Sequence, residues 1–462
     1  MSTRWAVVLG GGLAGTLAAH VLAEQYGEVV IIERDRLPDG PADRKGVPQG
    51  RHAHVLGSGG ALALEALLPG VLDEMVALGA HRLGIPDGVV TRTGAGWVER
   101  LPRHLFVMAA SRPLMDWVVR SRVLGGGRVR VRDGSEAVGL VGDRIRVCGV
   151  RIRSRPDGRE RVLDADVVVD ARGQGSTAVR FLADLGAGRV AVSSVDAGLA
   201  YSTRVYQAPD GAGHFPPVYV QPHLCLERPG VSGGVLPVEG GRWMITLGGT
   251  RGAEPPTDEG GFTAFARALP DPVISRLMAV GTPLTAPRGY RSTANVRHHF
   301  EHVRHWPGGF VVVGDAVARF NPVYGHGMST AIRSVTALRA GMERDGLEGD
   351  GARRCQRAVS REFHQAWGLS TALDALCPGV IGTRRPYGAK AWLRILDRLL
   401  LVAHSDPCVL YPVLEMYSLL RPPSSLFTAK VLAAAVRGPL RPPLTQPPFT
   451  AAERCVLRDA PH

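Results

Sequence analysis

A chain of 462 residues that is 45% hydrophobic can bury a large core and is long enough for two or three domains, which excludes a disordered or fibrous protein. Its net charge is +13, but the basic residues are almost all scattered arginines, with Lys45, Lys390 and Lys430 as the lysines; no aromatic-basic module accompanies them, so nucleic-acid binding is not expected. Cys148, Cys225, Cys355, Cys377, Cys408 and Cys455 lack the short spacings of a metal knuckle or redox pair, so reduced thiols in a cytoplasmic protein, and no metal, are expected.

In chain order, the apolar run Trp5 to Leu9 breaks into Gly10, Gly11 and Gly12 instead of extending into a secretory leader. No segment stays apolar over the ~20 residues of a membrane span. Ala6 to Leu9 reads as a buried strand, Leu13, Leu17 and Val21 as one face of a helix, and Val29 to Ile32 as a second strand. Between the first strand and helix stands Gly10-Gly11-Gly12-Leu13-Ala14-Gly15, a GxGxxG match. In a chain with 58 glycines roughly one such match arises by chance. Its position gives it weight, because there the glycines permit a tight turn and let a pyrophosphate approach a helix N-terminus. Glu33 follows the second strand, where a carboxylate can accept both ribose hydroxyls.

Further apolar strands are expected at Val167 to Val169 and at Phe310 to Val313. Between them, stretches such as Tyr201 to Tyr206 and Trp243 to Leu247 alternate with Pro/Gly turns, which predicts an inserted, mostly antiparallel sheet. The second apolar strand runs into Gly314-Asp315 and then Asn321-Pro322-Val323-Tyr324-Gly325-His326-Gly327-Met328-Ser329, which opens a helix with Met328, Ala331, Ile332, Val335 and Leu338 on one face. After Glu343 the chain reads as helical. Ala391 to Val402 is strongly amphipathic, and the proline-rich tail from Pro439 is expected to be extended. The helix around Trp392, Leu396, Leu399 and Leu400 is expected to cover the substrate domain or, less readily, to lie on a membrane with Arg394 and Arg398 toward anionic headgroups.

The Gly314-Asp315 pair followed by a Pro-x-x-Gly-x-Gly loop resembles the second FAD motif of monooxygenases related to para-hydroxybenzoate hydroxylase. Ser111-Arg112-Pro113-Leu114 resembles that family's segment whose arginine reaches the FAD phosphates. Gly46-Val47-Pro48-Gln49-Gly50-Arg51-His52-Ala53-His54, with Leu236-Pro237-Val238-Glu239 and Trp243-Met244-Ile245-Thr246, looks like a branch containing bacterial polyether epoxidases and, more distantly, squalene epoxidases. The resemblance spans most of the first 345 residues. It implies an α/β (α+β) fold: a GR2-type, Rossmann-like FAD-binding domain (1–75, 100–188 and 285–345), an inserted antiparallel-sheet substrate domain (76–99 and 189–284) and a helical C-terminal region (346–462). It also implies cofactor contacts from Gly10, Gly12, Leu13, Ala14, Gly15, Glu33, Arg34, Arg51, Arg112, Val138, Gly314, Asp315, Pro322, Gly325, Gly327 and Met328. One departure is Asp170-Ala171-Arg172-Gly173, where many members carry Asp-Gly, which leaves the source of electrons less defined than the flavin.

The chemistry implied is monooxygenation by non-covalent FAD with NAD(P)H and O2 through a flavin hydroperoxide, acting on a bulky, apolar small-molecule substrate. Epoxidation of an olefin in a secondary metabolite is favoured, with aromatic or indole hydroxylation as the alternative. Prenyl reductases and GDP-dissociation-inhibitor-like binders share the fold and stay open. Halogenases of the superfamily use an active-site lysine and a Trp-x-Trp-x-Ile-Pro segment, and this chain has no lysine between Lys45 and Lys390. His52, His54, His298, His299 and His326 are acid-base candidates without a distinguishing signal, so no catalytic side chain is assigned. Oligomeric state is not legible.

Overall fold

The computed structural model describes residues 4–222 and 227–457. Cys225 lies outside the described residues, and the other cysteines are free thiols. Five parallel strands form the central sheet in the spatial order Phe310–Val312, Val167–Asp170, Trp5–Leu9, Glu28–Ile32, Val129–Arg132. The continuous apolar runs of Phe310–Val312 and Val167–Asp170 up to Val169, and of Ala6 to Leu9, follow from burial on both faces, while the edge strand Val129–Arg132 alternates Val and Arg. The helices Leu13–Leu22, Arg112–Gly125 and Gly327–Asp345 pack together beside this sheet, and Leu17, Val21, Val118, Ile332 and Val335 join the strand residues in one core. From the Trp5–Leu9 strand the chain first builds outward on one side and later returns on the other. The crevice at the carboxyl ends of Trp5–Leu9 and Val167–Asp170 is thus a topological switch point, where open α/β sheets bind ligands.

The second body is an eight-stranded, largely antiparallel sheet. Its centre is Ala200–Gln207 against Arg242–Gly249, paired residue for residue, and Val231–Val238 extends it. Val90–Thr93 enters from far earlier in the chain, parallel to Val218–Val220. One face buries Trp243, Ile245 and Phe215 under the helices Glu259–Arg267 and Val273–Val280.

The C-terminal region is helical, as expected: Asp350–Arg361, His364–Asp374, Ala389–Ala403, Pro407–Tyr417 and Ala429–Arg437. The tail departs from the expected extended form. Leu444 makes a backbone bridge to Trp97, Phe449 packs on Phe215 with ring centroids 5.3 Å apart, and Ala451–Val456 is a helix opened by a Thr450/Glu453 capping box. The prolines interrupt this segment, but its apolar residues bury against the second sheet and the capping pair nucleates the last turn. No single helix among the described residues is long and apolar enough to cross a membrane.

Candidate functional site

The glycine turn after the first strand is shaped by two different demands. A side-chain carbon on Gly15 would stand 1.9 Å from the Gly10 carbonyl oxygen, so Gly15 lets the helix start press against the strand end. Gly12 is the opposite case. Nothing lies within 4 Å of the corresponding position, and the amides that open the Leu13–Leu22 helix face this free space unpaired by the helix itself. Leu13 and Ala14 are buried behind it. Glu33 leaves the second strand 5% exposed: the Gly11 N–H donates to its Oε2 at 2.7 Å and the Asp35 N–H to its Oε1 at 2.9 Å.

Arg44 was missed by sequence reasoning. It is buried, donates to the Gly11 carbonyl at 2.9 Å and pairs with Glu33 Oε2 at 2.8 Å, tying the loop before Gly46 to the glycine turn. Nothing in the sequence separated it from the chain's many other arginines. Arg51, expected to contact the cofactor, is half exposed and pairs with Asp43 at 3.0 Å; Asp43 also faces Arg288 at 3.8 Å.

The second motif folds onto the first. A side-chain carbon on Gly314 would lie 2.8 Å from Ala14 Cβ, and one on Gly173 3.7 Å from Asp315 Cβ. The three strand-end loops therefore meet around one crevice. Arg34 lies close by, with its guanidinium 3.2 Å from such a carbon on Gly46 and 3.6 Å from one on Gly175. Arg112 opens its helix with Ser111 as N-cap, pairs with Asp116 at 2.7 Å and lies against Gly50. Val138 sits on the strand Ser135–Gly142, whose Ala137 carbonyl accepts from Arg172 at 3.3 Å. Arg172 itself clamps the fully buried Asp170 at 2.6 Å, so the departure from Asp-Gly forms an internal ion pair at the crevice wall.

Pro322 to Tyr324 make one turn of 3-10 helix, Gly325 adopts φ +69°, and Gly327 begins the long helix. Gly325 and Gly327 have nothing within 4 Å of a would-be side chain, while Met328 is buried in the core behind them. The loop is held from the C-terminal region. Asp374, 1% exposed, accepts from Tyr324 Oη at 2.7 Å, Asn321 Nδ2 at 3.0 Å and Asn295 Nδ2 at 2.6 Å. Burial raises its carboxyl's pKa and these hydrogen bonds oppose the rise.

Between the two bodies, His52 is buried and its Nδ1 lies 2.8 Å from Thr203 Oγ1, which in turn lies 2.8 Å from Thr246 Oγ1. Tyr201 meets the imidazole edge-on at 4.6 Å and Tyr290 lies 5.7 Å away. Burial, with His54, Arg288 and Arg51 adding to it, lowers His52 to about 4, and it is neutral at pH 7. Burial likewise lowers His54 and His326 to about 4. His298 is lowered too, by burial first. His299, Glu301 and His302 come within metal-ligand reach of one another, a grouping the sequence reading missed, but Arg297 already pairs with Glu301. A groove of about 490 Å³ bounded by Ala63, Arg333, Ala337, Arg361 and Leu419 contains none of the motif residues.

The groups present fit an extended dinucleotide: open glycine-lined helix starts whose amides can donate to phosphate, and carboxylates at Glu33 and the partly buried Asp315 that can accept from hydroxyls. Asp315→Ala is expected to weaken FAD binding about tenfold or more, as one charge-assisted hydrogen bond is worth ~1.5 to 3 kcal/mol. Glu33→Ala is expected to cost at least as much and also to lower the melting temperature, because it strands buried Arg44. Fluorescence titration with FAD and thermal melts check both.

Burial pushes the Asp315 carboxyl up to about 6, against the pull of Arg112 and Arg319. A ribityl hydroxyl donated to this group needs the carboxylate, so protonation competes with binding. FAD affinity is expected to be level above about pH 6 and to fall by up to about tenfold per unit below it. Asp315→Asn is expected to flatten that profile, and a wild-type titration without the fall would contradict the assignment.

No family model matches the chain. The chain is 30% identical to protein Rv3254 of Mycobacterium tuberculosis over 456 residues, 94% of each chain. Among solved structures it is similar to the flavin-dependent brominase Bmp2, at TM-score 0.64 and 14% identity over 94% of this chain and 98% of that one. It is also similar to p-nitrophenol 4-monooxygenase PnpA from Pseudomonas putida DLL-E4, at TM-score 0.63 and 16% identity over 90% and 98%. The mixed α/β fold is that of flavin-dependent monooxygenases and halogenases.

Proposed function

Because the chain belongs to the family of protein Rv3254 of Mycobacterium tuberculosis and has a flavin-monooxygenase fold, we propose that it is an FAD-dependent monooxygenase using NAD(P)H and O2. What supports this reading is the open glycine turn at Gly12 together with the meeting of the Gly314-Asp315 turn with Ala14 and Gly173, Arg34 and Arg112 beside them, and a second open glycine loop, Gly325 to Gly327, at the start of the following helix. Bound FAD, reduced by NAD(P)H, supplies the activation of oxygen. The chain's own residues do the rest. Glu33, Asp315 and the helix-start amides hold the cofactor without a covalent bond, and the loop pinned by Asp374 sets the cradle's position.

The substrate is proposed to be a bulky, apolar secondary metabolite oxygenated at a carbon-carbon double bond. The wall between the bodies supports this. Tyr201 and Tyr290 are neutral aromatic surface, and Thr203 and Thr246 hydrogen-bond to one another. His52, held at about 4, is a poor base for removing a phenolic proton, whereas a neutral olefin needs none. Selectivity then rests on cavity shape and exclusion of water.

Turnover with NAD(P)H and O2 on a polyene polyketide, a prenylated indole and a simple phenol tests the assignment. The expected result is coupled epoxidation of the polyene. Oxidation of the phenol alone would identify an aromatic hydroxylase, and saturation of a prenyl double bond without O2 uptake would identify a reductase.

A further inference from the structure

The C-terminal helices carry more apolar surface than their packing uses. In Ala389–Ala403, Leu393 and Leu396 pack on Leu376 and Ala389, while Leu399, Val402 and Ala403 pack on Val409, Leu410, Val431 and Ala434. That inward stripe is all the fold needs from an amphipathic helix. Trp392 and Ile395 nevertheless stand 48% and 47% exposed on the same helix. The neighbouring helix Ala429–Arg437 repeats the pattern, with Val431 and Ala434 buried and Leu432 and Val436 turned out at four-residue spacing. Tyr387 is fully exposed and Phe427 60% exposed. Arg398 fastens the two helices together, donating from Nε to the Ala435 carbonyl at 2.7 Å and from Nη2 to the Val436 carbonyl at 3.1 Å. It therefore serves as an internal cap and does not reach outward, contrary to the sequence expectation.

The unpaired charges around this surface are predominantly positive. Arg384, Lys390, Arg394 and Lys430 are exposed, and no ion pair among the described residues involves them. Of the nearby acids, Asp406 is buried and paired with Arg437, and Glu415 is paired with His104 and Arg421. Asp397 is the acid left exposed between residues 384 and 440. A second copy of the chain would bring the same cations face to face, which disfavours self-association through this surface. An anionic lipid surface satisfies both features, apolar side chains entering the acyl boundary and lysine and arginine meeting headgroups. The geometry suits lying on a bilayer better than crossing one, since Ala389–Ala403 and Pro407–Tyr417 meet at a 114° bend.

We propose that the exposed face of the Ala389–Ala403 and Ala429–Arg437 helices, with Tyr387 and Phe427, docks the protein on anionic membrane surfaces. The docking is independent of the flavin chemistry. Full-length protein is sedimented at low salt with vesicles of phosphatidylcholine alone and of equimolar phosphatidylcholine and phosphatidylglycerol. The expected result is co-sedimentation with the anionic vesicles and little with the neutral ones. Combined Trp392→Ser, Ile395→Ser and Val436→Ser is expected to lower that partition about tenfold or more with an unchanged thermal melt. Arg394→Glu with Lys430→Glu, which leaves the apolar face intact and keeps the check valid if the serine variant misfolds, is expected to lower it similarly. Absence of wild-type binding to anionic vesicles, or equal binding by folded variants, overturns the proposal. So does a wild-type dimer that the serine substitutions dissociate without any vesicle binding.

Discussion

Gly12→Val is expected to leave the apoprotein's melting temperature near that of the wild type and to lower FAD affinity about a hundredfold or more. Gly12 has φ −81° and ψ −174°, a conformation open to any residue, and no atom lies within 4 Å of its would-be side chain. The fold therefore has room for a side chain to begin there. The space it fills is where a pyrophosphate would meet the helix-start amides, and losing two charge-assisted hydrogen bonds of ~1.5 to 3 kcal/mol each gives the hundredfold figure. Gly15→Ala is expected to behave oppositely. Its methyl would stand 1.9 Å from the Gly10 carbonyl, so strand and helix must separate, at a cost of about 3 kcal/mol or more. Thermal melts beside FAD titrations separate the two. If Gly12→Val binds FAD normally, the pyrophosphate has been placed wrongly.

Asp374→Ala is expected to lower stability by roughly 3 kcal/mol or more, because it leaves three neutral donors unpaired at about 1 to 3 kcal/mol for each that stays buried. Asn295, Asn321 and Tyr324 all aim donors at this carboxylate, and Asn295 and Asn321 are buried away from water. Because Asn321 and Tyr324 flank Pro322 in the loop that opens the Gly327–Asp345 helix, the same change is expected to loosen flavin binding beyond the loss of stability. Denaturant unfolding and flavin retention during gel filtration measure the two effects. Wild-type stability with full flavin retention would show that the C-terminal region does not hold the loop. Tyr324→Phe, which deletes a single donor, is expected to cost about 1 to 2 kcal/mol.

The parts of this site that were legible in the sequence are those fixed by local backbone geometry. A strand, a glycine turn and a helix must appear in order to build a nucleotide cradle, and Gly10 to Gly15 and Gly314 to Gly327 do so within short stretches. Contacts closed by tertiary folding were not legible. Arg44 acquires its role by reaching back to Gly11 and Glu33, and no spacing rule marks it. Asp374 lies about fifty residues beyond the loop it holds, on a helix whose sequence shows an ordinary polar position. His52 was one of several equivalent histidines until Thr203 and Tyr201 closed around it. The tail misled for a different reason. Its prolines signalled an extended chain, and the Thr450-x-x-Glu453 cap that starts the last helix was overlooked among them.

An oxidoreductase that binds FAD non-covalently is distinguished by the absorbance spectrum of the purified protein before and after anaerobic addition of NAD(P)H, followed by acid precipitation. The expected protein is yellow, its flavin bands bleach with NAD(P)H and return on admitting oxygen, and its FAD passes wholly into the supernatant on acid denaturation. A colourless protein that takes up no FAD on reconstitution, or flavin that stays with the pellet, would contradict it.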